Sequence, residues 1–323
     1  MFLAFRPWKK EGKLNYMDAV RPKESLKSSP SYARGKSRYI FANRFRALFA
    51  YLVLLFFVAF AVGPVLYLIS PALRDSISLF DYPPKIIPDE PTLDNFRFLF
   101  DSTRYLSWAL NTIIYAAGTT IISLFTNVLA GYAFARLQFP GRNLLFFLVL
   151  STLMVPVAAV LAPTYLMVRE IGELPIIGRP FFGLDTYLGL ILPCTVSPLG
   201  VFMMRQFIST LPVGLYEAAR LDGASEWRIL FKIVLPLIKP ALVVLGIFVF
   251  MITWANFLWP LVAASGDDYR VLTVGIASLK GQFVTHWGVL AAASLMTLIP
   301  VTIVFLFFQK WFVQASMAGA LKQ

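Results

Sequence analysis

Charged residues, cysteine and histidine are all scarce in this sequence. Asp, Glu, Lys and Arg make up 14% of the 323 residues, whereas hydrophobic residues make up 58%. Because ordinary soluble domains are about one-quarter charged, this composition excludes such a domain and indicates a membrane protein. The single cysteine, Cys194, excludes an internal disulfide, and the single histidine, His286, excludes a zinc site of the HExxH type.

Six segments are apolar and long enough to cross a bilayer, for which a helix needs roughly 20 residues. They are residues 47–69, 109–133, 144–168, 186–204, 241–263 and 289–309. Several contain proline, which membrane helices tolerate because neighbouring groups bond the freed carbonyl. The sequence therefore predicts an all-α fold, a polytopic membrane protein whose six transmembrane helices span residues 47–309.

Basic residues are distributed unequally between the predicted loops. With six spans, both termini share one side of the membrane with loops 134–143 and 205–240, and this side carries 21 of the 29 Lys and Arg residues. The opposite side carries 8 basic and 11 acidic residues. Because Lys and Arg concentrate in cytoplasmic loops, both termini are predicted to be cytoplasmic. Membrane topology thus accounts for the net charge of +12, and we predict no nucleic-acid partner.

Residues 1–46 form a basic N-terminal segment with scattered Pro, Ser and Gly. We interpret it as a flexible or surface-lying cytoplasmic arm that touches anionic headgroups of membrane lipid. The stretch PSYARGKS at 30–37 ends like a phosphate-binding loop, but Pro30 stands where that loop requires its first glycine. The sequence therefore predicts no nucleotide site and no ATPase of its own in this chain.

The predicted loop 209–240 interrupts the apolar pattern with a charged, amphipathic stretch. Residues 213–221 are expected to form a short helix, with Ser209 or Thr210 as its cap. A helix this short is only marginally stable alone. It is interpreted either as a helix that docks into a groove of a partner protein or as an interfacial helix that lies on lipid.

A turn and a second helix are expected to follow. Gly223 suits the left-handed conformation that ends many helices, and Ser225 is placed to cap a helix over 226–235. On the first helix, Ala218 and Ala219 are small enough for another backbone to approach closely.

This loop resembles the EAA loop of the permease subunits of bacterial ABC importers. The sequences EAA, DGA and IVLP follow one another with the spacing of that motif, at 217–219, 222–224 and 233–236. The resemblance implies a coupling helix that sits in a cleft of a cytoplasmic ATPase subunit. The residues that would carry this role are Glu217, Ala218, Ala219, Asp222, Gly223 and Ala224.

The resemblance covers roughly residues 91–323 and extends to the carbohydrate-uptake permeases of the MalG-like type. It is carried by PTLDNFRFLF, NTIIYAAGTT, LAGYAFARLQFPGRN, NFLWPL and the tail FVQASMAGALKQ. In that family the C-terminal tail, here 310–323, reaches the interface between two ATPase subunits. This implies the same contact for Gly319, Ala320 and Lys322.

The resemblance further implies an importer in the bacterial inner membrane. Its substrate would be a sugar or oligosaccharide, neutral or acidic such as an alginate fragment, delivered by an extracytoplasmic binding protein. A second permease subunit and two ATPase subunits are the other implied partners, and the ATPase subunits would bind ATP and Mg. No cofactor, metal or catalytic residue is expected in this chain, which is therefore not predicted to be an enzyme.

Sugars are recognised by hydrogen bonds and flat aromatic faces, and the spans contain both kinds of side chain. We predict Asn127, Trp254, Asn256 and Trp259 along the substrate pathway. Polar residues in spans also bond helices together, and tryptophans concentrate at membrane interfaces, so both alternatives stay open. An ion-gradient-driven secondary transporter is the alternative function, although the spans lack an acidic residue to carry protons.

Overall fold

The computed structural model describes residues 30–74, 88, 90–175, 178, 181–280 and 286–320. These residues are predominantly helical, which confirms the predicted all-α fold. Their α-helices are α1 (Pro30–Ala72), α2 (Asp94–Ser102), α3 (Tyr105–Arg136), α4 (Arg142–Ser151), α5 (Val157–Gly172), α6 (Tyr187–Ile191), α7 (Pro198–Ser209), α8 (Val213–Leu221), α9 (Glu226–Ile229), α10 (Leu235–Leu237), α11 (Lys239–Trp254), α12 (Leu258–Ala263), α13 (Leu272–Ser278) and α14 (Trp287–Ala320).

The chain divides into two compact units, residues 1–64 and 65–323. In the first unit, α1 already begins at Pro30, and proline fits the first helical position because the N–H there has no partner within the helix. The helix therefore starts inside the predicted N-terminal arm, of which residues 1–29 lie outside the described residues. Its side chains from 46 to 62 are exposed and mostly apolar, as a lipid-facing helix requires.

Three helices are long and apolar enough to cross a membrane as single units: Arg46–Ala72 within α1, all of α3, and Trp287–Trp311 within α14. Three pairs reach this length only together, namely α4 with α5, α6 with α7, and Glu226–Leu237 with α11. These pairs are bent by 107°, 53° and 80°. In the last pair, Glu226–Leu237 belongs to the predicted charged loop 209–240, and α11 is the apolar helix. If each bent pair counts once, the described residues provide the six spans that the sequence predicts.

Proline accounts for the break within the first two bent pairs. Val155 is extended, as residues before proline usually are, and Pro156 directly precedes α5. Between α6 and α7, Ser197 caps α7 through its hydroxyl, and Pro198 occupies the first helical position. The third and fourth predicted spans are therefore present as bent helix pairs, and hydropathy does not register the bend because it counts apolar side chains and not the backbone restrictions of proline.

The predicted fifth span, 241–263, is also interrupted, because α11 and α12 are separate helices. Pro260 has no N–H to bond the carbonyl of Asn256 four residues earlier. The hydroxyl of Thr273 donates to that carbonyl instead, at 2.8 Å. The carbonyl that proline frees inside the membrane is therefore satisfied by another part of the chain.

Helix α3 lies at the centre of the second unit and packs most extensively against α7 and α11. Small residues allow this close approach: a Cβ added at Gly131 of α3 would lie 2.5 Å from the Cβ of Met204 on α7. The apolar cluster around this contact includes Tyr216, Ile229 and Val234 from the segment between α7 and α11. That segment therefore shares one core with three membrane helices.

Candidate functional site between α7 and α11

The segment between α7 and α11 begins with a short link. The hydroxyl of Thr210 donates to the carbonyl of Phe207 (2.8 Å) and closes the end of α7. Pro212 stands immediately before α8, and among the described residues no side chain caps this helix. The predicted cap at Ser209 or Thr210 is therefore wrong. The Thr210 hydroxyl is engaged by the preceding helix, and Pro212, whose φ is fixed, leads the chain into α8.

The end of α8 forms a complete Schellman motif. Gly223 has a φ of +74°, a left-handed conformation that glycine adopts without steric cost. Its N–H donates to the carbonyl of Arg220 (3.0 Å), and the N–H of Ala224 donates to the carbonyl of Ala219 (2.9 Å). The predicted left-handed turn at Gly223 is confirmed.

The second half of the segment is an irregular helical stretch from Glu226 to Leu237. Ser225 accepts a hydrogen bond from the N–H of Arg228 at 3.4 Å, which confirms the predicted cap. The stretch widens into a π-helical turn at Leu230–Val234 before it bends into α11. Turns of this kind are rare in proteins as a whole, but those that occur are often found at functional sites. The predicted second helix is thus present but irregular.

One face of α8 belongs to the core of the chain. Tyr216 and Ala219 are 2% and 7% exposed, and they pack in the cluster that also contains residues of α3, α7 and α11. Residues three apart lie on one side of a helix, so the two side chains define the buried face. The expectation that another backbone approaches over Ala219 is wrong, because this position is filled by the chain itself.

The opposite face of α8 is exposed and combines charge with apolar surface. Its residues are Val213, Leu215, Glu217, Ala218, Arg220 and Leu221, followed by Asp222 and Gly223 in the turn. Leu221 is 89% exposed, the largest value among the big apolar side chains of the described residues. Apolar side chains grouped at an exposed surface mark interaction sites more often than scattered ones do.

Arg136, the last residue of α3, holds the entry to α8. Its Nη2 donates to the carbonyls of Ile208 and Leu211, at 2.8 and 2.6 Å. These carbonyls lie at the end of α7 and just before α8, where helix ends leave acceptors without partners. The guanidinium also lies over the ring of Tyr216. The entry to α8 is therefore tied to α3 by a side chain as well as by packing.

Glu226 links the exit of α8 to the same helix. Its Oε1 accepts from Nε of Arg220 (2.9 Å), and its Oε2 accepts from the hydroxyl of Tyr132 on α3. Partial burial opposes ionisation, but the two hydrogen bonds and the charge of Arg220 outweigh it and lower the pKa of Glu226. The hydrogen bond to Glu226 raises the pKa of Arg220. Both side chains are therefore charged at neutral pH.

Tyr132, Arg136 and Glu226 were missed from the sequence. Tyr132 and Arg136 stand four residues apart and therefore share one face of α3. They lie far from 209–240 along the chain, and only the packing of α3 against α7 brings them to the segment. An aromatic and a basic residue at the end of a span are equally typical of an interfacial anchor, so this signal does not identify the contact.

Residues 127–316 match the family described as "Binding-protein-dependent transport system inner membrane component". The chain is also 37% identical over 270 residues to the arabinooligosaccharides transport system permease protein AraQ of Halalkalibacterium halodurans, and this covers 82% of the chain and 93% of that protein. The chain belongs to this family. The permease is therefore a multi-pass membrane component of a binding-protein-dependent transporter, as the sequence predicted.

Two further relatives of the permease are also named as permease proteins of transport systems. It is 35% identical to AraQ of Bacillus subtilis, over 78% of this chain and 85% of that protein. It is 33% identical to the sn-glycerol-3-phosphate transport system permease protein UgpE of Pectobacterium atrosepticum, over 83% and 94% of the two chains. The similarity therefore extends over nearly the whole length of these permeases.

The fold of the permease is shared with two solved structures. One is a bacterial ABC transporter involved in the import of the acidic polysaccharide alginate (TM-score 0.71, 22% identity, 84% of this chain and 98% of that chain). The other is a bacterial alginate ABC transporter in complex with alginate pentasaccharide-bound periplasmic protein (TM-score 0.61, 18% identity, 83% and 94%). At these identities the likeness shows a common fold.

Asn127, a predicted pathway residue, is fully buried between α3 and α7. Its side-chain amide donates to Oγ of Ser123 (2.7 Å), and its side-chain oxygen accepts from the N–H of Ser197 (3.3 Å). The first contact lies within α3, and the second joins α3 to the start of α7, which is the alternative role of polar residues in membrane spans.

The other three predicted pathway residues, Trp254, Asn256 and Trp259, lie around the break between α11 and α12. Asn256 donates to the hydroxyl of Tyr115 on α3 (3.0 Å), and the indole of Trp259 donates to the carbonyl of Leu190 (3.1 Å). Trp254 is buried in a different apolar cluster. The structure does not bring all four residues to one surface, and their pathway role stays a prediction.

The C-terminal tail is described only in part. Gly319 and Ala320 are the last residues of α14, and Lys322 lies outside the described residues. Their predicted contact with ATPase subunits stays a prediction.

Proposed function

We propose that this permease is one membrane subunit of an ATP-driven importer and that α8 couples it to a separate ATPase subunit. The proposal is carried by the division of α8 into a face buried in the permease core and a face that is exposed. A helix of nine residues is too short to be stable alone. Here packing holds it in place while its outer face stays open to a partner, and a helix laid in a groove is a recurrent mode of recognition.

The residues of the EAA loop divide between these two faces. Glu217 and Ala218 face outward, where Glu217 pairs with a basic or polar group of the ATPase and Ala218 permits close approach. Ala219 packs inside the permease, and Gly223 and Ala224 form the turn that ends the helix. Asp222 is exposed beside this turn. The motif therefore builds both the docking surface and its support.

ATP and Mg are bound by the ATPase subunits, and α8 moves with the cleft that holds it when these subunits close. Because α8 shares its core with α3, α7 and α11, its displacement tilts these helices and alternates the side on which the pathway opens. The permease contributes the helices that move around the pathway and does not hydrolyse ATP. The tail from Gly319 to Lys322 contacts the ATPase subunits at the same time.

The complete transporter contains a second permease subunit, two ATPase subunits and an extracytoplasmic binding protein, and it lies in the bacterial inner membrane. Both termini and α8 face the cytoplasm, as the distribution of Lys and Arg indicates. The basic N-terminal segment lies along anionic lipid headgroups.

A carbohydrate is the proposed substrate class. Two relatives are named as arabinooligosaccharide permeases, and the two solved structures of the same fold belong to alginate transporters. The first oligosaccharide is neutral and the second is acidic, and a third relative is named for a phosphorylated polyol. These three chemistries define the substrates to be compared.

The test is a purified complex of the permease with the second permease and the ATPase subunits of the same bacterium, reconstituted in liposomes. ATP hydrolysis is measured with the binding protein and with arabinotriose, an alginate trisaccharide or sn-glycerol-3-phosphate. We expect stimulation by a saccharide and ATP-dependent uptake of it. A permease that never assembles with an ATPase subunit, or that moves solute with an ion gradient and no ATP, contradicts the proposal.

A further inference from the structure

Both ends of α8 are fastened to one face of α3. Arg136 bonds the carbonyl of Leu211 at the entry to α8, and Tyr132, one turn earlier on α3, bonds Glu226 beyond its exit. The backbone joins this segment to α7 and α11 but not to α3. Among the described residues, α3 is therefore linked to α8 by side-chain contacts and by packing.

We propose that Glu226 is a positioning residue that locks the segment containing α8 and α9 to α3, so that a displacement of α8 carries α3 with it. This inference rests on the proposed function, because the ATPase partner supplies the displacement. The second oxygen of the carboxylate bonds Arg220, so one side chain joins three elements: the end of α8, the start of α9 and a membrane helix.

Apolar packing alone does not provide such a lock. The contacts of Tyr216 and Ala219 with the core are non-directional, and α8 ends in a turn that depends on Gly223. Arg220 precedes that turn and Glu226 follows it, so their ion pair holds its two sides together. A hydrogen bond has a preferred distance and angle, and the Tyr132 hydroxyl extends this constraint to α3.

Tyr132 distinguishes this arrangement from an ordinary surface ion pair. The side chains of Arg220 and Glu226 are 46% and 41% exposed, and an exposed pair alone contributes little to stability. Three groups that polarise one another form a stronger unit than isolated pairs do. The function of the lock therefore depends on the hydroxyl of a residue in a membrane helix.

The test measures the distance between the segment and α3 by pulsed electron paramagnetic resonance. Spin labels replace Arg228 on α9 and Ile121 on α3, whose side chains are exposed and make no polar contact with the described residues. Cys194, the single native cysteine, is replaced by alanine. The complex with its ATPase subunits is measured without nucleotide and after trapping with ATP and vanadate.

For the otherwise unchanged permease we expect one narrow distance that is the same in both states. Tyr132→Phe and Glu226→Ala are each expected to shift the distance by several ångström on trapping, because the segment then moves without α3. The double variant is expected to shift no further, since both changes break one link. Lys232→Ala removes an exposed charge from the same segment and serves as the matched control.

The proposal is overturned if Tyr132→Phe and Glu226→Ala give the same distances as the unchanged permease, both without nucleotide and after trapping. A distance that shifts on trapping in the unchanged permease also overturns it. A distribution that broadens equally in both states assigns Glu226 a role in folding alone and also overturns it. Failure of the unchanged permease to assemble or to trap nucleotide counts against the proposed function instead.

Discussion

The guanidinium carbon of Arg136 lies 4.1 Å from the centroid of the Tyr216 ring. The same guanidinium donates to the carbonyls of Ile208 and Leu211. One cation at the end of α3 therefore binds the last turn of α7, the link before α8 and the buried face of α8. This combination requires the planar, branched donor group of arginine, because lysine offers a single point of attachment.

Replacement of Arg136 by lysine is accordingly expected to destabilise the permease. The change keeps the charge but loses the paired carbonyl contacts, and hydrogen bonds to charged groups contribute about 1.5–3 kcal/mol each. We expect a lower midpoint of thermal unfolding in detergent. Arg97→Lys is the control, since the Arg97 side chain is 74% exposed in its ion pair with Asp94. Equal midpoints for the two variants would show that Arg136 does not support the segment.

Gly223 and Gly214 offer a matched pair for testing the turn. Neither glycine has an atom within 4 Å of an added Cβ, but only Gly223 has a positive φ, +74°. Gly223→Ala is expected to destabilise the permease by about 1–2 kcal/mol, the cost of a left-handed residue with a side chain. Gly214→Ala is expected to be neutral or slightly stabilising, because alanine favours helix.

A larger residue at Gly223 is expected to affect coupling as well. Gly223→Val places a branched side chain at the exposed turn that we propose to contact the ATPase. In the reconstituted complex we expect ATP hydrolysis to continue while uptake of the stimulating saccharide falls. Normal uptake by a correctly assembled Gly223→Val complex would argue against this turn as a coupling element.

The features that the sequence predicted correctly depend on local chemistry. The left-handed turn needs glycine, which identifies Gly223, and the second helix needs a capping hydroxyl, which Ser225 supplies. The six apolar segments can be recognised from composition alone, because a helix that crosses a bilayer needs a long stretch of apolar residues. Each of these signals lies within a few residues of the feature that it predicts.

The features that were missed depend on tertiary packing. From the sequence, Ala218 and Ala219 are equivalent small residues, and the position of α3 decides which of them is buried. The bond between Tyr132 and Glu226 joins residues 94 positions apart, and no local pattern contains it. Thr210 is a good capping residue, but the helix before it uses its hydroxyl. These contacts follow from the arrangement of the membrane helices.

Gly200 on α7 provides a test of the contact that Asn127 makes. A Cβ added at Gly200 would lie 2.7 Å from Nδ2 of Asn127, whose amide joins α3 to α7. Gly200→Ala is expected to displace this buried amide and to cost about 1–3 kcal/mol, as overpacking usually does. Gly63→Ala, where nothing lies within 4 Å of the added carbon, is the control in the same unfolding measurement. Equal unfolding midpoints would mean that α3 and α7 separate without strain.

The adjacent alanines of the EAA sequence separate folding from docking. Ala219 is 7% exposed in the core, so Ala219→Trp is expected to lower the midpoint of thermal unfolding of the isolated permease. Ala218 is exposed on the outer face of α8, so Ala218→Trp is expected to leave that midpoint unchanged. In the assembled complex, Ala218→Trp is expected to reduce the amount of ATPase subunit that copurifies with the permease, because the indole occupies the space into which the partner cleft closes. Undiminished copurification with Ala218→Trp would place the ATPase on a different surface, since the variant folds normally and alters only the outer face of α8.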